Sequence, residues 1–136
     1  MRINYDYIEV MLNRALDHPD AQFDLNLFND LWNEESKEAE FFFHLEILDD
    51  LNVIENTIDS SGLGFRRCGD GQYIISIVPL RLTAHGHDFA AALTKAGVLE
   101  TLKTTFKDAG PTEMIKATFG IAAKITEAQL KKAIGE

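Results

Sequence analysis

Between Asn52 and Pro79 the apolar pattern changes period, and this change limits the folds open to the chain more than any other feature. Upstream of it, Ile8, Leu12, Ala15 and Leu16 recur at i, i+4, i+7 and i+8, the stripe of a helix packed on a core. Asn4 is placed to cap that helix, with Ile3 and Ile8 set to form a hydrophobic staple, and His18-Pro19-Asp20 ends it. Gln22 to Leu25 reads as a short extended piece, and Asn26 or a neighbour opens a brief second helix through Leu27, Phe28, Leu31 and Trp32. Ser36 is a good cap for a third helix running from Lys37 to about Leu51. Asn52 suits a left-handed helix exit, and the β-branched Val53 and Ile54 begin a strand. Residues 53–58 and 72–78 are expected to pair as one hairpin, with the glycine-rich stretch from Asp59 to Gly71 as a long loop between them and Pro79 as its end.

Beyond the strands, Thr83 caps a fourth helix through Phe89, Ala90 and Leu93, and Gly97 separates a fifth segment carrying Val98, Leu99, Leu102 and Phe106. After the Ala109-Gly110-Pro111 turn, Thr112 is read as the cap of a last helix with Ile115, Phe119, Ala122, Thr126, Leu130 and Ile134 on one face. Three helices followed by a two-stranded hairpin are the order of a winged helix. The expected fold is therefore α+β and mostly α: a winged helix-turn-helix core over residues 1–95, with residues 96–136 as a helical extension packed back on it. A chain of 136 residues with 46% hydrophobic content suits one such core. No stretch approaches the roughly 18–20 apolar residues of a membrane span, so no membrane partner is expected. The start of the sequence does not resemble a signal peptide, and the single Cys68 rules out an internal disulfide; a reducing, cytoplasmic setting is expected.

The segment Leu82-Thr83-Ala84-His85-Gly86-His87-Asp88-Phe89 resembles a hallmark, Leu-Thr-x-x-Gly-His-acidic-aromatic, of a bacterial and phage family (domain of unknown function 2513). Upstream, His44-Leu45-Glu46-Ile47-Leu48 leading to Asn52-Val53-Ile54 is similar to that family's His-Leu-x-x-Leu and Gly-aliphatic-Ile segments, with Asn52 in place of the usual glycine. Ala84 stands where an aromatic is often found, and Leu99 where tryptophan is usual. The resemblance runs from about Asn4 to Lys124. It implies a winged-helix-like core and a phage or mobile-element setting, and it implies no particular activity.

The charge is unevenly distributed. Residues 1–60 carry fifteen acidic and three basic side chains, a net −12, whereas residues 61–136 carry seven acidic and ten basic, a net +3. That distribution bears on nucleic-acid binding, the usual task of a winged helix. The third helix, which would enter the major groove, opens with Lys37, Glu38, Ala39, Glu40, Phe41, Phe42, Phe43 and His44. Two carboxylates and three phenylalanines are poor readers of base edges. Arg66 and Arg67 on the wing are the candidate phosphate contacts for an alternative reading, a DNA-binding transcriptional regulator.

Phe41 to Phe43 span about 200° of the helix surface, more than one core-facing stripe requires. Two readings stay open: a wide buried face covered by the C-terminal helices, or a protein interface formed by Glu38, Glu40, Phe41, Phe42 and His44. Ala117, Gly120 and Ala123 likewise allow close packing of the last helix on the core or across a dimer axis. His85 and His87 lie two apart, so on a helix they cannot readily meet one metal ion; His87 is expected to pack at the helix start and His85 to be solvated. Cys68, between Arg67 and Gly69, lacks a catalytic partner, and Gly62-Leu63-Gly64-Phe65 lacks the Lys-Ser/Thr of a phosphate loop. The expectation is a non-enzymatic, cofactor-free protein that binds a protein partner or a second copy of itself.

Overall fold

The computed structural model describes residues 1–58 and 62–135. Helix α1, Tyr5–Asp17, starts where Asn4 turns extended and its Oδ1 accepts the Tyr7 N–H at 3.2 Å. It buries Tyr5, Ile8, Met11, Leu12 and Ala15. Leu16, read as part of the stripe, is 38% exposed, and Met11, three residues after Ile8, occupies the core instead. Phe23 then makes a reciprocal backbone bridge to Leu80, which accounts for the extended piece. A 3-10 turn, Leu25–Phe28, is capped by Asp24 and runs into the short helix α2, Asn29–Trp32. Helix α3, Glu35–Asp50, begins one residue before Ser36, so Ser36 lies inside its first turn and does not cap it. Asn52 follows with φ 59°, the left-handed exit its side chain favours.

The strand pairing differs from expectation. Strand β1, Ile54–Asn56, pairs antiparallel with β4, Leu80–Leu82, while β2, Phe65–Arg67, pairs with β3, Tyr73–Ile75. Residues 53–58 and 72–78 therefore do not pair with each other. The partner of the second stretch lies inside the glycine-rich segment read as loop, and one pair encloses the other. The part of that loop at residues 59–61 lies outside the described residues. Pro79 does not end the sheet: its carbonyl accepts the Thr57 N–H, and the pairing continues with Leu80 and Leu82 buried and Arg81 facing out toward Glu55. Gly64 (φ 97°) permits the inner pair, because a Cβ there would lie 2.2 Å from the Ser76 carbonyl oxygen.

Helix α4, Ala84–Leu93, begins at Thr83 as read; α5 spans Val98–Thr105 and α6 Pro111–Ala133. The cap of α6 is Gly110 with Pro111 in the first turn, so Thr112 is already helical. Its buried face is Met114, Thr118 and Ala122: Ala122 lies there as expected, while Met114 and Thr118 take the places expected for Ile115 and Phe119. Leu130 and Ile134 are 58% and 65% exposed, and from Thr126 on every described residue is exposed. Gly120 has no neighbour within 4 Å of where a Cβ would stand, so it gives no close packing within the chain.

One apolar core joins residues on both sides of position 95, including Phe28, Phe41, Phe89, Val98, Leu102 and Met114. The Tyr5 hydroxyl donates to the Phe106 carbonyl at 2.6 Å and ties α1 to the end of α5. The molecule is α+β and mostly helical, and among the described residues no helix is long and apolar enough to cross a membrane.

Candidate functional site: the outer face of the third helix

Most of the residues proposed for an interface turn inward. Phe41 and Phe42 are fully buried. The Phe41 ring lies 5.6 Å from Phe28, and Phe42 stacks on Tyr73 at 4.3 Å and packs on Phe65 at 4.6 Å. The β2–β3 hairpin is thus the cover for the second side of this 200° apolar arc; with its pairing misplaced in the sequence reading, Phe42 lacked a visible neighbour. The wide-face reading holds for these two rings, although the cover over Phe42 is the hairpin and not the C-terminal helices.

His44 is also fully buried, stacked on Tyr7 at 4.5 Å. Its Nε2 accepts the Asn4 backbone N–H at 2.9 Å, and its Nδ1 lies 2.8 Å from the Glu40 carbonyl oxygen. Burial holds its pKa below the ordinary imidazole value, against a smaller opposing pull from the Glu40 carbonyl and carboxylate. Phe41, Phe42 and His44 are therefore structural.

What remains on the surface is Phe43, half-buried, with Glu40 exposed and Glu38 half-buried on the preceding turn. Phe43 and Ile47 line a hollow of about 290 Å³ together with Met1, Ile3 and Pro111. Lys107 and the Arg2–Asp108 ion pair also line it. Glu40 and Asp50 lie three residues before Phe43 and three after Ile47, so both fall on the same helix face as the hollow. The i, i+4 pair of Phe43 and Ile47 was the signal in the sequence that could have found this place. Its other walls, Met1, Ile3 and Pro111, come from distant segments and carry no local mark.

The wing arginines are separated in role. Arg66 is exposed, whereas Arg67 forms an ion pair with Glu46 of α3 and so fastens the hairpin to the helix it covers. Cys68, half-buried in the β2–β3 turn, donates its N–H to the Gln72 carbonyl and accepts from Gly71. Among the described residues no cluster of three metal-ligating side chains occurs.

The eight-residue motif turns out to be a joint. The Thr83 Oγ1 accepts the Gly86 N–H at 2.8 Å and donates to the Asn52 carbonyl at 2.5 Å, while the Thr83 N–H donates to Val53 at 3.0 Å. Gly86 sits so close to the Val53 carbonyl that an added Cβ would lie 2.1 Å from its oxygen. Phe89 is fully buried one turn on. His87, expected to pack, is exposed, because Gly86 takes the inward position; the exposed His85 lies with its ring 5.7 Å from Phe119.

Set beside known proteins, the chain matches no family model, no curated protein and no solved structure.

Proposed function

We propose that this chain is a non-enzymatic protein of the winged-helix type that acts by binding another protein through the outer face of α3. The observation that carries the reading is Phe43, half-buried at an apolar hollow in which Met1 is 73% exposed, on a helix whose flanking turns carry Glu40 and Asp50. An aromatic or aliphatic side chain of the partner fills the hollow, and basic residues around it meet the carboxylates. The winged-helix assignment is supported by three helical segments preceding the β2–β3 hairpin and by the motif from Leu82 to Phe89. In a phage or mobile-element setting, an acidic face of this kind acts as a regulator or inhibitor that occupies a basic, nucleic-acid-binding groove of a host protein. The net −12 of residues 1–60 and the engagement of Arg67 by Glu46 weigh against the alternative, a DNA-binding regulator using Arg66 and Arg67.

The test is binding to mixed-sequence duplex DNA at low salt, with the solution mass recorded in the same sample, followed by capture of protein partners with the wild type and with Phe43→Glu. No DNA binding is expected, together with a partner held by the wild type, released by salt and lost in Phe43→Glu. Micromolar DNA binding that weakens steeply with salt overturns the reading in favour of the regulator.

A further inference from the structure

We infer that His44 is a proton-operated latch on the amino-terminal segment, and through that segment on one wall of the hollow beside Phe43. The latch does not depend on what enters the hollow.

The hydrogen-bond partners fix the state of the ring. The Glu40 carbonyl only accepts and the Asn4 backbone amide only donates, so Nδ1 carries the hydrogen and Nε2 is bare. Only the neutral Nδ1–H tautomer satisfies both partners. The ring has no room to turn away from them: it is fully buried, stacked on Tyr7 and met edge-on by Phe43 at 5.0 Å.

Asn4 performs two tasks at once. Its backbone amide is held by His44, and its side chain caps α1 through the Tyr7 N–H. Met1 and Ile3, in the segment leading into it, line the hollow together with Phe43 and Ile47 of α3. The Arg2–Asp108 pair also holds this stretch, but its side chains are 78% and 64% exposed, where ion pairs contribute little.

Adding one proton from solvent to Nε2 sets an N–H against the Asn4 N–H. No covalent bond changes; the Asn4 hydrogen bond breaks, the buried cation is left with one partner, and Asn4 moves away. The cap of α1 and the wall formed by Ile3 and Met1 move with it. The titratable groups facing the ring are Glu40 on α3, whose carboxylate favours the cation, and Tyr7 on α1, a phenol that stays neutral in this pH range. Arg2, Lys107 and Asp108 stand around the hollow itself. The closed form takes up the proton less readily than the open form, in which the ring regains its ordinary pKa of about 6.5. The latch is therefore closed at neutral pH, and below about pH 6.5 the open form gains about tenfold per pH unit until the closed ring itself protonates.

The experiment is amide exchange by NMR on the full chain between pH 7 and pH 5, read as protection factors, with the ring nitrogens of His44 followed in the same samples. The expected result is that protection of the Asn4 and Tyr7 amides falls about tenfold per pH unit below about pH 6.5, while Leu45 and Leu48 in α3 keep theirs. The His44 ring is expected to stay the neutral Nδ1–H tautomer while the closed form predominates and to become doubly protonated where the open form takes over. His44→Gln, neutral at every pH, is expected to show no such step. The same fall in His44→Gln overturns the latch, as does Asn4 protection that survives ring protonation. If His44→Gln does not fold, the wild-type chain decides: Asn4 and Tyr7 protection that stays level below about pH 6.5 overturns the latch, as does an equal fall at Leu45 and Leu48.

Discussion

Replacing Gly86 by alanine sets two physical effects against each other at one position. Gly86 lies inside α4, where alanine is favoured over glycine by about 1 kcal/mol on helix propensity alone. The new Cβ, however, would stand 2.1 Å from the Val53 carbonyl oxygen, 2.9 Å from its carbon and 3.2 Å from the Thr83 Oγ1. Backbone must give way by more than 1 Å to restore an ordinary contact of about 3.4 Å. That movement separates Thr83 from Val53 and Asn52, two hydrogen bonds worth about 1 kcal/mol each net, and disturbs a cap worth about 1 kcal/mol. Overpacking of the Cβ against the Val53 carbonyl adds roughly 1–3 kcal/mol. After the propensity gain the net loss is about 3–5 kcal/mol. Urea unfolding followed by circular dichroism measures it as a lower midpoint with the slope unchanged. Gly120→Ala supplies the contrast: the same change in α6, exposed and with nothing within 4 Å, is expected to stabilise by about 0.5–1 kcal/mol. A Gly86→Ala protein as stable as the wild type, or two variants that shift in the same direction, refutes the reasoning.

Three further outcomes follow from single sites. Asn52→Gly, at φ 59°, is expected to raise the melting temperature slightly through a gain of about 0.5 kcal/mol, and Asn52→Ala to lower it through a loss of about 1 kcal/mol. Burial, reinforced by Glu40 and Asp30, pushes the Tyr7 phenol up to about 12. The unfolded chain releases that proton near pH 10 while the folded chain holds it, so stability is kept below pH 10 and falls between pH 10 and about 12; denaturant titrations of Tyr7→Phe are expected to lack that part of the decline. Phe42→Ala is expected to cost about 3–5 kcal/mol in chemical unfolding, and Arg67→Ala, which removes an exposed ion pair, less than about 1 kcal/mol.

The helices were legible because each announces itself within a few residues. Asn4 and Thr83 cap as their side chains predict, and Asn52 turns the chain out of α3 through a left-handed residue. The strands were not, because three residues are too few for a period of two to register, and pairing depends on contacts far away in the chain. Phe65 with Ile75 and Ile54 with Leu82 are partners that no local pattern ranks above Ile54 with Ile75. The same cause placed buried rings among the interface candidates. Helical geometry shows that Phe41, Phe42 and Phe43 point three ways, but which ring stays out depends on where the hairpin lies. His44 carried a second lesson: a polar residue within an apolar arc marks a buried hydrogen-bonded pair as readily as a rim, and its partner, a backbone amide 40 residues earlier, has no signature of its own.

The nested strands have a consequence for the chain as a connected object. Opened between Gly69 and Asp70, both exposed in the β2–β3 turn, it yields a first piece with fifteen acidic and five basic side chains and a second with seven acidic and eight basic. Among the described residues every strand pairing crosses that cut: β1 with β4, β2 with β3, and Phe23 with Leu80. Neither piece has a sheet without the other, and the bond from Tyr5 to Phe106 also joins them. The two are complements, expected to recover the helical circular dichroism of the intact chain on mixing, with a yield set by concentration. Covalent continuity at that turn serves to hold the halves at high effective concentration, while the contacts that specify the fold lie elsewhere.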